Sequence, residues 1–183
     1  MSAISPAHAR LRAASAPDHA RVDACFPRGL EDAATYRRYL RGMHGLLSAL
    51  ARACPRLADE YAPMREALAA DLEALGSTPP APPGLPPITD EAARLGARYV
   101  IEGSAMGARL LQRQAERLGH GPGPGGRFLA YHVARGEHAW PALKSALARL
   151  DADTASFEDV LRSTRDTFAL AATCFDGHAT PRE

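Results

Sequence analysis

The sequence predicts a single all-α domain, and three observations carry that prediction. The chain is rich in Ala, Leu and Arg, strong helix formers, while aromatic residues make up only 6%. Apolar residues recur at three- and four-residue spacing along the chain, and no stretch shows the two-residue alternation of a strand. The 183 residues suit one domain, large enough to bury roughly 70% of the surface its unfolded form exposes.

Composition also narrows the function classes. Net charge is +1 with acidic and basic residues interspersed, so the basic face that nucleic acid requires is missing. Cys25, Cys54 and Cys174 are odd in number and form no CxxC. That argues for reduced thiols in a cytoplasmic setting over a disulfide frame. No apolar run approaches the roughly 18 residues of a membrane span, and the N-terminus lacks a signal-peptide apolar region. The expectation is a cytoplasmic protein that binds neither membrane nor nucleic acid.

Residues 1–9 read as a flexible tail, 10–175 as the domain and 176–183 as a second tail. The first helix begins near Leu11 in LRAASAPDHARVDACF, and two readings of Pro17 stay open. Ser15 and Asp18 form a capping pair with Pro17 in the first turn, or the helix runs through and Pro17 removes a hydrogen bond and kinks it. A second helix spans 29–53, with Tyr36, Tyr39, Leu40, Met43, Leu46, Leu47 and Leu50 in helical phase, and Pro55 stops it. A third covers 57–75 with a restart at Pro63. The stretch GSTPPAPPGLPPIT, 76–89, reads as an extended connector within the same domain. Thr89 is expected to cap the central helix, 90–118, with Asp90 and Glu91 favouring its dipole. HGPGPGGR, residues 120–127, forms a turn; without GK[ST] it is no phosphate-binding loop. Helix resumes at Phe128, breaks at Gly136 and restarts at Pro141. The last helix opens near Ser156 with Asp159 as its capping partner and runs towards Phe175.

The central helix contains GARYVIEGSAMGARLLQRQ, residues 96–114. Each glycine inside a helix costs about 0.5–1 kcal/mol relative to alanine, so Gly96, Gly103 and Gly107 need a reason. Gly103 and Gly107 lie one turn apart on one face, with Tyr99 and Leu111 extending the stripe. A face without side chains admits either a neighbouring helix or a planar ligand. On geometry alone the helix crossing is the commoner use.

YVIEGSAMGA resembles the distal-helix segment of bacterial heme oxygenases, in particular the branch associated with bacteriophytochromes, whose pattern is close to YVLEGSxLGG. In that family the two glycines let the helix backbone lie over the heme face where oxygen binds. Such a site needs a proximal histidine upstream, and the chain has seven histidines: His8, His19, His44, His120, His132, His138 and His178. His19 is better placed than the others. It shares the inner phase of the first helix with Leu11, Arg12 and Val22. Asp23, one turn on, can accept its Nδ1 proton and leave Nε2 for iron. Arg12, two turns earlier on the same side, can meet a propionate. LRAASAPDHARVD is similar to the proximal helix of the same family, close to LRxATxxxHxxvE.

The paired motifs imply a heme-oxygenase-like helical bundle with heme between a proximal and a distal helix. They imply oxidative cleavage of heme, at once cofactor and substrate, to biliverdin, carbon monoxide and ferrous iron. Electrons would come from a ferredoxin or reductase, and the product would go to a bacteriophytochrome. Carried over residue by residue, His19 matches the axial iron ligand, and Arg12 and Tyr99 match propionate contacts. Gly103, Ser104 and Gly107 match the distal helix and are the catalytic positions. On the last helix, Arg165, with Arg162 beside it, is expected at the open edge of the heme pocket unless both form a solvated face, and Phe168 is expected to line the cofactor from the core. Two departures stand out. Pro17 falls inside the proximal helix, and Ala105 and Met106 occupy positions where some relatives carry a polar side chain. Neither supplies a strong hydrogen bond. Ala105 therefore favours the alternative of a non-catalytic heme carrier or sensor. A di-iron oxidase on the same scaffold would need Glu-x-x-His pairs, which the sequence lacks.

Overall fold

The computed structural model describes residues 5–150 and 154–176; His178 and the tail expected after 176 lie outside them. The described residues form helices and loops without strands. In order, the helices are α1 (Pro6–Asp23), α2 (Ala33–Ala53), α3 (Pro55–Glu60), α4 (Ala62–Ala74), α5 (Glu91–Arg117), α6 (Arg127–Leu147) and α7 (Ala155–Asp176).

Helix α1 starts earlier than the sequence suggested. Ser5 accepts the His8 amide at 3.3 Å and Pro6 takes the first turn. Residues 6–9 therefore belong to the helix, with Ala7 and His8 buried. The helix then runs through Pro17. The carbonyl that Pro17 leaves without a donor is that of Ala13, on the exposed side where water reaches it. Residues 29–32, expected to be helical, form an irregular loop in which Gly29 adopts φ +72°. Asp32 then caps α2 by accepting from Thr35 N at 2.7 Å. The cap of α5 is Asp90, accepting from Ala93 N at 2.6 Å, in place of Thr89. The cap of α7 is Thr154, accepting from Phe157 N at 3.3 Å, in place of Ser156.

Helix α6 departs most from expectation, because neither Gly136 nor Pro141 interrupts it. Gly136 instead lies where a Cβ would come within 2.5 Å of the Ala105 Cβ, so the missing side chain lets α6 cross close to α5. Pro141 is exposed, as Pro17 is. The start of α6 is fixed by Asp71, fully buried on α4. Its carboxylate accepts from the amides of Gly125 (3.0 Å), Arg127 (3.1 Å) and Phe128 (2.8 Å). Three amide donors at a helix N-terminus are a fitting partner for a buried anion.

Helix α5 is the centre of the bundle. It packs against α6 on one side and α7 on another, while α1 rests on α7, and α2 on α4 and α7. One core cluster joins α2, α4, α5, the start of α6 and the end of α7 around Tyr36, Leu47, Tyr61, Met64 and Phe128. A second joins α1, the start of α5, α6 and the start of α7 around Leu11, Tyr99, Leu143 and Phe157. α1 is thereby seated on α7 beside α5.

Candidate functional site

Helices α1 and α5 are tied at both ends. At one end, the His8 ring on α1 meets Tyr99 edge-on at 6.0 Å and Trp140 of α6 at 5.5 Å. At the other, Leu30 N, in the loop that leads from α1 to α2, donates to Gln114 Oε1 of α5 at 2.9 Å. Between these ties α5 presents Gly103 and Gly107. A Cβ on Gly103 would be 3.6 Å from the Trp140 ring, and one on Gly107 would meet nothing within 4 Å. This face is therefore not filled by a neighbouring helix. Met106 and Leu110, 66% and 52% exposed, border it at helical spacing. Leu111, expected to extend the stripe, packs half-buried against the core.

On α1, His8, Ser15 and His19 share one stripe, and the first two are buried towards Tyr99. His19 continues the stripe beyond the point of contact. Its Nδ1 is 2.9 Å from Asp23 Oδ2, and its side chain is 60% exposed. With Nδ1–H donating to Asp23, Nε2 keeps its lone pair. Phe168 of α7, buried, meets the His19 ring edge-on at 5.6 Å and fixes its tilt. Tyr99 is buried, and burial raises its pKa against the opposing pull of Arg12 and Ser15. Arg12, Ser15 and Tyr99 are thus gathered at one end of the α1–α5 interval. Arg165 has other partners. Its guanidinium donates to Ala14 O at 3.0 Å and lies 3.8 Å from Asp18, which joins α7 to α1 one turn from His19. Arg162 pairs with Asp159 on its own helix.

Ser104 sits beside this face and points along the α6 side. Its hydroxyl donates to Ile101 O at 2.8 Å and is 2.8 Å from His132 Nε2. Ala105 is buried against Gly136, so it does not line the open face.

The sequence reading missed the groups behind the face. Glu102 is fully buried. Its Oε1 accepts from Tyr61 OH at 3.0 Å and from Arg135 at 2.7 Å, and Arg135 also reaches Glu60 at 2.9 Å. Arg98 bonds the same Glu60 at 3.1 Å. Burial and Glu102 raise the pKa of Tyr61, and Arg135 stays charged between its carboxylates. Glu102 is the one carboxylate inside YVIEGSAMGA, a charge in an otherwise apolar motif, and that was the signal available.

These residues suit an iron porphyrin. Among the described residues no group of three or more His, Cys, Asp or Glu is arranged to hold a metal. A lone imidazole with a fixed tautomer matches a metal whose other ligands arrive with a macrocycle. The bare face at Gly107 leaves room for a flat ring, and Arg12 with Tyr99 offers donors for its carboxylates. No described helix is long and apolar enough to cross a membrane.

No family model matches the chain. Among curated proteins it is 30% identical over 161 residues to a heme oxygenase of Xanthomonas campestris pv. campestris (strain 8004), covering 82% of this chain and 94% of that protein. Among solved structures it is similar in fold to the NO- and CO-bound heme oxygenase from Neisseria meningitidis. That similarity has a TM-score of 0.73 at 24% identity and covers 96% of this chain and 92% of that one.

Proposed function

Because the chain belongs to the heme oxygenase family, we propose that it binds heme between α1 and α5 and opens the ring to biliverdin, carbon monoxide and ferrous iron. The observation that carries this reading is the pairing of His19, its Nδ1 held by Asp23 at 2.9 Å, with a Gly107 face that nothing in the protein fills. Bound heme supplies the iron that binds oxygen and the porphyrin that is oxidised. The protein's part is orientation and exclusion. His19 Nε2 would hold the iron, with Phe168 against the edge of the imidazole. The bare backbone at Gly103 and Gly107 would admit the ring, with Met106 and Leu110 bordering that face. Arg12 and Tyr99 would bind the carboxylates of the ring and so orient it. Ser104 is the polar side chain nearest the bare face.

The non-catalytic carrier drew its support from Ala105. That support falls away, since Ala105 is buried against Gly136 and a polar side chain there would face α6. Electrons come from a separate ferredoxin or reductase and the product passes to a bacteriophytochrome, parts of the proposal that follow from the likeness of YVIEGSAMGA and LRAASAPDHARVD to that branch; that the protein works in the cytoplasm follows from its scattered, unpaired cysteines. Arg165 contributes through α1, whose seat on α7 it helps to hold.

The test is a hemin titration followed by reduction in air. His19→Ala is expected to lose the six-coordinate heme spectrum and most turnover, whereas His44→Ala keeps both. Asp23→Ala is expected to weaken heme binding by about tenfold, the low end of the usual range for a partner of a metal-bound histidine, because the pair is solvent-exposed. A His19→Ala protein that binds and degrades heme like the parent would overturn the assignment.

A further inference from the structure

Ser104 and His132 form a pair whose proton inventory is fixed by their surroundings. His132 is fully buried, lies parallel to the Phe128 ring at 5.5 Å, and has Nε2 2.8 Å from Ser104 Oγ. Its Nδ1 is buried without a partner. A hydroxyl has one hydrogen and two lone pairs, and neutral imidazole has one N–H and one lone pair. The Ser104 hydrogen is on Ile101 O at 2.8 Å, so the hydroxyl can accept from Nε2–H but has no hydrogen left to give. The reverse arrangement would put the imidazole hydrogen on Nδ1, where no acceptor exists. An unmet buried donor costs about 1–3 kcal/mol, and orphaned buried N–H groups are rarer than under-satisfied acceptors. A doubly protonated ring meets the same objection, and burial together with Arg135 lowers the His132 pKa to about 4.

We propose that His132 is a positioning residue that holds the Ser104 hydroxyl as a hydrogen-bond acceptor only, beside the Gly103–Gly107 face. Ser104 is exposed, so its second lone pair is open to a water. That water must donate to Ser104, which turns its oxygen and its other hydrogen towards whatever lies against the bare face. Neither Ser104 nor neutral His132 is then a proton source, and protons reach the site through water. This consequence rests on the heme reading; the tautomer does not.

The experiment has two arms. Long-range proton–nitrogen correlation on the labelled heme-free protein at pH 7 is expected to place the His132 proton on Nε2. A proton on Nδ1, or on both nitrogens, overturns the proposal whether or not heme binds. In the ferric heme complex, His132→Leu and Ser104→Ala are each expected to move the pH midpoint of the visible-spectrum transition by about half a unit or more, or about 0.7 kcal/mol. His132→Gln, which keeps an N–H donor near the same place, is expected to restore it. Unmoved midpoints in folded Ser104→Ala overturn the positioning role and leave the heme reading standing. A parent protein that takes up no heme overturns the heme reading and the water-orienting role together, and the tautomer still reports on the acceptor.

Discussion

Helix α5 has a filled side and an open side, and glycine serves a different purpose on each. At Gly96 a Cβ would fall 2.5 Å from Val160 O, 2.8 Å from Ser163 Cβ and 2.9 Å from Thr164 N, all on α7. The α6 crossing uses the same device in reverse, with Gly136 admitting Ala105. Two turns further along, Gly103 touches only the edge of Trp140, and three turns along, Gly107 has open space. The two explanations of an interior glycine, close helix crossing and a flat ligand, are therefore both present in one helix. Spacing could not separate them, because the difference lies in the paths of α6 and α7.

The largest effect is expected on the filled side, behind the glycines. Glu102 is fully buried and holds Arg135 and Tyr61. Removing one partner of a buried ion pair costs about 3–5 kcal/mol. Arg135 keeps Glu60 and has a side chain 20% exposed, which puts Glu102→Gln near 3 kcal/mol. The urea midpoint of the heme-free protein reads it. A loss below about 1 kcal/mol would mean that this network behaves as a surface pair, and that packing carries the α5–α6 contact without it.

A smaller loss is expected where α5 meets α7. In Gly96→Ala the new methyl runs into backbone, which cannot rotate away as a side chain can. The helices must part, loosening Ser163 Oγ to Ala93 O at 2.6 Å and Thr164 Oγ1 to Gly96 O at 3.3 Å. Overpacking costs typically about 1–3 kcal/mol, partly offset by up to about 1 kcal/mol of helix propensity. A net loss near 1–2 kcal/mol should appear as a lower melting temperature. A neutral or stabilised variant would show that α5 and α7 are not in the tight contact described.

The same division explains what could be read in advance. Helix positions followed from apolar spacing, a local property, and the His19–Asp23 pair was legible because both residues lie on one helix, one turn apart. Partners on different helices were not. His132 meets Ser104 and Arg135 meets Glu102 because α6 crosses close to α5, at the crossing where Gly136 meets Ala105. Gly136 looked like a breaker because its cost is local while its benefit, contact with Ala105, is tertiary. Pro17 and Pro141 are tolerated because the carbonyls they leave bare lie on exposed stretches, and exposure is settled only when the bundle has formed. Asp71 likewise gave no hint that it would cap a helix that begins 56 residues away in sequence.

The smallest change in stability carries the sharpest test, because its sign opposes that of Gly96→Ala. In Gly107→Ala the added methyl meets no atom within 4 Å, so no overpacking term arises. Helix propensity alone then acts, and the heme-free protein should gain up to about 1 kcal/mol or at least melt no earlier than the parent. With heme present the methyl stands on the face proposed to lie against the ring. Heme turnover should slow, or reduction in air should release more peroxide per ring opened. Unchanged melting together with unchanged turnover would move the ring off this face. Earlier melting of the heme-free protein, with normal chemistry per folded molecule, would mean that a helix closes over Gly107 in solution. The contrast between the two sides of α5 would then disappear. A variant that is no less stable yet handles oxygen differently is the result that only a ligand at Gly107 accounts for.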